Sequence, residues 1–110
     1  MIVEVIDGAD EVPQVRVVDV DDLTRLHLAV GAVTDEEADQ ALQAAGLGRL
    51  VDGDDGVLDV AALRAAAEPQ ASAADWGARF DAMVALAAEK GWTADDGASL
   101  RVHVEPAASA

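Results

Sequence analysis

The chain has 110 residues, no cysteine, and 22 acidic against 7 basic side chains, for a formal charge of −15. A chain of this length makes one domain that buries roughly 60–70% of its unfolded surface, and two sizeable domains do not fit. The absence of cysteine excludes disulfides, thiolate metal sites, a cysteine nucleophile and thiol redox switching, while a hydrophobic content of 52% is too high for a disordered acidic chain.

Ile2 to Ile6 and Val15 to Val20 are β-branched runs bounded by turn residues, which predicts two strands joined by a loop holding Gly8 and Pro13. Beyond Asp21 the period changes. Leu23, Leu26, Val30 and Val33 fall on one helical stripe, predicting a helix over about 22–31 with His27 partly buried on its apolar side. Thr34 and Glu37 have capping-box spacing and open a second helix, whose narrow face of Ala38, Ala41, Leu42 and Ala45 ends at Gly46.

Residues 46–59 suit a short hairpin turning at the cluster of Asp52, Asp54 and Asp55. Asp59 then caps a third helix that Pro69 ends. Ser72 and Asp75 have the spacing of another capping box, ahead of a fourth helix with Trp76, Phe80, Met83, Val84 and Ala87 on one face and a stop at Gly91. Leu100 to Glu105 alternates as a strand that places Arg101, His103 and Glu105 on one face, and the last residues, 106–110, read as a tail. The expected fold is therefore a single α+β domain over 1–105, with a short, mainly antiparallel sheet from the N-terminal strands and the C-terminal strand, packed against about four helices.

The two segments around Ala44-Ala45-Gly46 and Ala87-Ala88 with Gly91 each continue into an Asp-Asp-Gly turn, at Asp54-Asp55-Gly56 and Asp95-Asp96-Gly97. Shared turn grammar accounts for this echo without a duplicated unit, because Gly ends helices and Asp-Gly closes hairpins wherever they occur.

Chemistry-bearing patterns are sparse. The aspartates around Gly56 fail the EF-hand spacing, since Val51, Gly53 and Ala62 fall where ligands belong. No serine stands in a nucleophile elbow, and Gly46-Leu47-Gly48 lacks the rest of a phosphate-binding loop. No catalytic residue, metal ligand or cofactor is assigned. The seven basic residues are scattered with no two adjacent, which speaks against direct binding to nucleic acid or to an anionic membrane. No apolar stretch nears the roughly 20 residues of a membrane span, and the opening Met-Ile-Val-Glu-Val lacks signal-peptide character, so the expected location is the cytoplasm.

The leading functional expectation is a non-enzymatic interaction or regulatory domain meeting a basic partner surface. Its acidic face is Asp35, Glu36 and Asp39 on the second helix, with Trp92 and His103 as further contact candidates. The alternatives are a small enzyme or ligand binder with a pocket near His103 and Trp92, or an acidic mimic of a nucleic-acid backbone. Against all three stands acidity that serves only solubility, in a composition of six Arg to one Lys.

Overall fold

The computed structural model describes residues 1–7 and 13–106; the expected loop glycine, Gly8, and the tail beyond Pro106 lie outside the described residues. Strand β1 (Ile2–Asp7) pairs antiparallel with β2 (Pro13–Val18) and parallel with β3 (His27–Val30), and β3 runs parallel to β7 (Ser99–Pro106). On its other side β7 pairs antiparallel with β5 (Asp55–Asp59), which pairs with β4 (Gly48–Leu50); the two-residue β6 (Thr93–Ala94) joins the start of β7. The result is one seven-stranded mixed sheet in the order β2-β1-β3-β7-β5-β4, curved into a half-barrel. Among the described residues three α-helices complete the fold: α1 (Asp35–Ala44), α2 (Val60–Ala67) and α3 (Trp76–Glu89).

This corrects the expected architecture in two respects: there are three helices rather than about four, and the sheet is larger and mixed rather than short and mainly antiparallel. The missing helix and the parallel pairings come from residues 19–30, while the 48–59 hairpin and β6 enlarge the sheet by pairing onto β7. Leu28 and Ala29 are buried in the centre of the sheet, and a strand buried on both faces loses the alternation that distinguishes it from a helix. The preceding residues also resist helix formation. Asp19 has φ of 51° and closes a turn with Asp22, whose carboxylate accepts from both the backbone N–H and the hydroxyl of Thr24. The first and last strands therefore do not pair; β3 lies between them.

The local punctuation of α1 and α2 follows the sequence. Thr34 and Glu37 form a reciprocal capping box on α1, and the Asp59 carboxylate accepts from Ala62 N–H at the start of α2. Gly46 and Gly91 adopt φ of 72° and 75°, the left-handed conformation that closes a helix without a Cβ penalty. The start of α3 departs from expectation, because Ser72 and Asp75 form no box. Instead the segment ahead of the helix is tied across the fold to Asp21, whose carboxylate accepts from the backbone N–H groups of Ser72 and Ala73. Beside it the Trp76 indole donates to the Val20 carbonyl at 2.6 Å. These bonds tie the 19–22 turn to the entry of α3.

The core joins Val3, Val5, Leu28, Leu58 and Leu100 of the sheet to Leu42 of α1, Leu63 of α2, and Trp76 and Phe80 of α3. The two aromatic rings stack with centroids 5.1 Å apart. Arg64 of α2 reaches Asp81 on α3 and lies over the Phe80 ring. Helix α1 sits in the mouth of the half-barrel, against β4 on one side and β2 on the other. No helix among the described residues is long and apolar enough to cross a membrane.

Candidate functional site

The five residues singled out in the sequence separate into two regions. Asp35, Glu36 and Asp39 belong to α1, whereas Trp92, just before β6, and His103 of β7 border one small cleft. Within the first region the three carboxylates have different employments. Asp35 and Glu36 are exposed in the first turn, where their charge suits the positive end of the helix dipole. Asp39 is partly buried and fully engaged, one oxygen accepting from Leu50 N–H at 2.8 Å and the other from the Gln43 amide at 2.8 Å. It therefore bolts α1 to the outer edge of β4.

The alternation of β7 brings Arg101, His103 and Glu105 to the exterior face of the sheet, as their spacing requires, with Leu100 and Val102 facing the core. Neighbouring strands supply their partners. His103 lies opposite Asp55 on β5, 3.5 Å from its carboxylate, and Glu105 lies 3.2 Å from His27 on β3. His27 is partly buried and hydrogen-bonded, as expected, through its Nδ1 to the Arg25 carbonyl at 2.8 Å, although it stands on a strand rather than a helix. His27, His103 and Glu105 border a cleft of about 690 Å³ with Arg25, Asp54 and Val104. The cleft is open, and the His103 side chain is 87% exposed. An imidazole in bulk solvent beside a carboxylate at 3.5 Å lacks the enclosure that tunes an acid or base for catalysis.

The aspartate turn resolves into backbone chemistry. The Asp52 carboxylate accepts from the N–H groups of Asp54 and Asp55, an Asx turn that starts β5. Among the described residues no three His, Cys, Asp or Glu side chains converge so as to hold a metal ion.

The most distinctive surface lies around Trp92. The two Asp-Asp-Gly segments fold alike at their start: Leu47 N–H bonds back to Leu42 carbonyl after Gly46, and Trp92 N–H bonds back to Ala87 carbonyl after Gly91. In this helix-closing geometry the large residue past the glycine packs against the last helical turn. Leu47 does so in the core, at 7% exposure, whereas Trp92 remains 52% exposed. The Lys90 ammonium sits 5.0 Å from the Trp92 ring centroid, covering one side of the indole. Next to it Leu86 is 50% exposed, and a groove of about 320 Å³ runs between them over Leu23, Leu26, Met83 and Ala87.

Sequence reasoning missed Leu86, Leu23 and Leu26 as one surface. The available signal was Leu86 itself, a large apolar residue on the flank of the α3 stripe in a helix otherwise rich in alanine. Its partners come from the 19–26 turn, and only tertiary structure places them. Comparison of the chain with protein-family models, with curated proteins and with solved structures gives no match in any of the three.

Proposed function

We propose that this protein is a non-enzymatic interaction domain whose Trp92 groove binds a segment of another protein carrying basic and apolar side chains. The observation that carries the reading is the pair of half-exposed side chains, Leu86 and Trp92, flanking a concave apolar groove. Contiguous exposed apolar surface of this kind marks interaction sites, and a Trp beside a pocket is the commonest anchor at protein interfaces. Net charge sets the partner's long-range chemistry, and because Lys90 and Arg101 border the groove itself, the partner's apolar side chains enter it and its basic ones lie outside. At −15 the chain repels acidic partners and copies of itself and attracts basic ones. Exposed Asp35 and Glu36 on α1 add to this long-range field, which speeds encounter, while the apolar anchors hold the complex.

The test is a titration with a synthetic amphipathic Leu/Lys peptide, followed by the emission of Trp92; Trp76, 2% exposed, contributes a constant background. Binding shifts Trp92 emission to the blue and weakens as salt is raised. Leu86→Glu, at an exposed position, keeps the fold and weakens binding by roughly tenfold or more, on the scale of about 2 kcal/mol for losing an anchor contact. Reversing Asp35 and Glu36 slows association and flattens its salt dependence. A Leu86→Glu variant that binds as tightly as the parent, or an unmoved Trp92 emission at saturating peptide, removes the groove as the binding surface.

A further inference from the structure

We propose that the free edge of β2 accepts an extended, basic segment of another protein as an added strand, seated in the groove between β2 and α1. The sheet order leaves two edges, β2 and β4, and the fold treats them differently. At the β4 edge the outward N–H of Leu50 is taken up by Asp39 of α1. No such partner meets β2 among the described residues. The Val5 carbonyl accepts from Gly31 N–H on the β3 side, so Val5 directs its backbone groups away from β2. Its register partner Val15 then directs its own away from β1, and by the two-residue period so do Val17 and Pro13. Val17 is covered at 7% exposure, so the open part of the edge is Val15, which offers an N–H and C=O pair, and Pro13, which offers a carbonyl, to whatever lies beyond it.

Beyond the edge lies a groove of about 600 Å³ between Val15 and the face of α1 formed by Glu37, Gln40, Ala41 and Ala44. A strand laid there continues the curvature of the half-barrel. Main-chain hydrogen bonds supply the attachment, and alternate side chains pack on Ala41 and Ala44, the mode of strand addition used by many peptide-binding domains. Edges are usually blunted by charge, bulges or cover. Here Arg16, the charged side chain of β2, is folded back onto Glu4 at 2.8 Å on the exterior face. Charge selects the occupant. Glu37 lines the groove, Asp35 and Glu36 share its helical turn, and the whole chain carries −15, so a second copy is repelled and a Lys- or Arg-bearing segment is attracted.

The experiment titrates a peptide of alternating Val and Lys, and its Val/Glu counterpart, into the 15N-labelled full chain. The Val/Lys peptide shifts the amides of Gln14, Val15 and Ala44; the Val/Glu peptide does not. Val15→Pro removes an edge donor that the β1–β2 ladder does not use, and weakens binding roughly tenfold or more. Ala44→Arg fills the groove from an exposed helical position and abolishes binding even if Val15→Pro folds poorly. Leu86→Glu leaves the titration unchanged, which keeps this site separate from the Trp92 groove. Shifts confined to α3 and the Trp92 indole, or an Ala44→Arg variant that binds like the parent, overturn the proposal. A dimer in sedimentation that Ala44→Arg dissociates also overturns it, by giving the edge to a second copy.

Discussion

Asp39 is the residue at which the acidic-face reading and the structure meet, and Asp39→Ala separates them. Removing the carboxylate leaves the partly buried Leu50 N–H without its 2.8 Å acceptor and releases the Gln43 amide. An unmade bond to a charged acceptor at a partly buried site costs about 1–2 kcal/mol once solvent access is allowed for. In a domain of this size each kcal/mol lowers the melting temperature by about 4 °C, so the variant melts about 4–8 °C below the parent. Urea unfolding followed by far-ultraviolet circular dichroism measures the same difference as a shift in midpoint at constant slope. Asp35→Ala and Glu36→Ala serve as controls, since their only structural role is at the helix dipole, worth about 0.5 kcal/mol. If Asp39→Ala is no less stable than these controls, Asp39 does not bolt α1 to β4, and its return to the free acidic face follows.

Trp76→Phe deletes the buried indole bond to Val20 and leaves that carbonyl unpaired, for a loss of about 1–3 kcal/mol in urea unfolding; an unchanged midpoint would show that the 19–22 turn is not held by α3. Gly56→Ala places a Cβ 2.4 Å from a Leu28 methyl and 3.2 Å from the Arg49 carbonyl, so core overpacking of about 1–3 kcal/mol is expected, against a null effect if Leu28 relaxes freely. The Asp21 carboxyl is held below its ordinary value, chiefly by the Ser72 N–H. Because that depression is confined to the folded state, its stabilisation is complete above the ordinary carboxylate range and fades as pH falls through the folded value. The stability gap between parent and Asp21→Ala is therefore flat from neutrality to about pH 5 and closes below about pH 4. Urea titrations across that range check it, and a gap that does not change with pH would contradict the assignment.

Some of the site was legible before the fold. The period of β7 alone places Arg101, His103 and Glu105 together, because a strand's alternation is a property of its own backbone. That His103 meets Asp55 in open solvent, and Glu105 meets His27, depends on which strands flank β7. Trp92 was visible as the residue after a helix stop, but its exposure depends on what the rest of the chain leaves uncovered; the equivalent Leu47 is buried.

What the sequence determined by itself is local: the caps at Thr34 and Asp59, the glycine stops at 46 and 91, and the apolar positions of α3 that reach the core. The caps and stops are satisfied by groups within a few residues, whereas the α3 positions are legible from their own spacing and find their partners in distant segments. The tertiary structure alone decided that residues 27–30 form a central strand rather than a helical stripe, that the Asp21 carboxylate rather than a Ser72–Asp75 box engages the segment leading into α3, and that Asp39 takes up the Leu50 N–H at the β4 edge. Those outcomes turn on hydrogen bonds between segments far apart in the chain. Among the 22 acidic residues, Asp21, Asp22, Glu37, Asp39, Asp52 and Asp59 accept hydrogen bonds that shape the fold. The exposed Asp35 and Glu36 have no such role and add only to the long-range field.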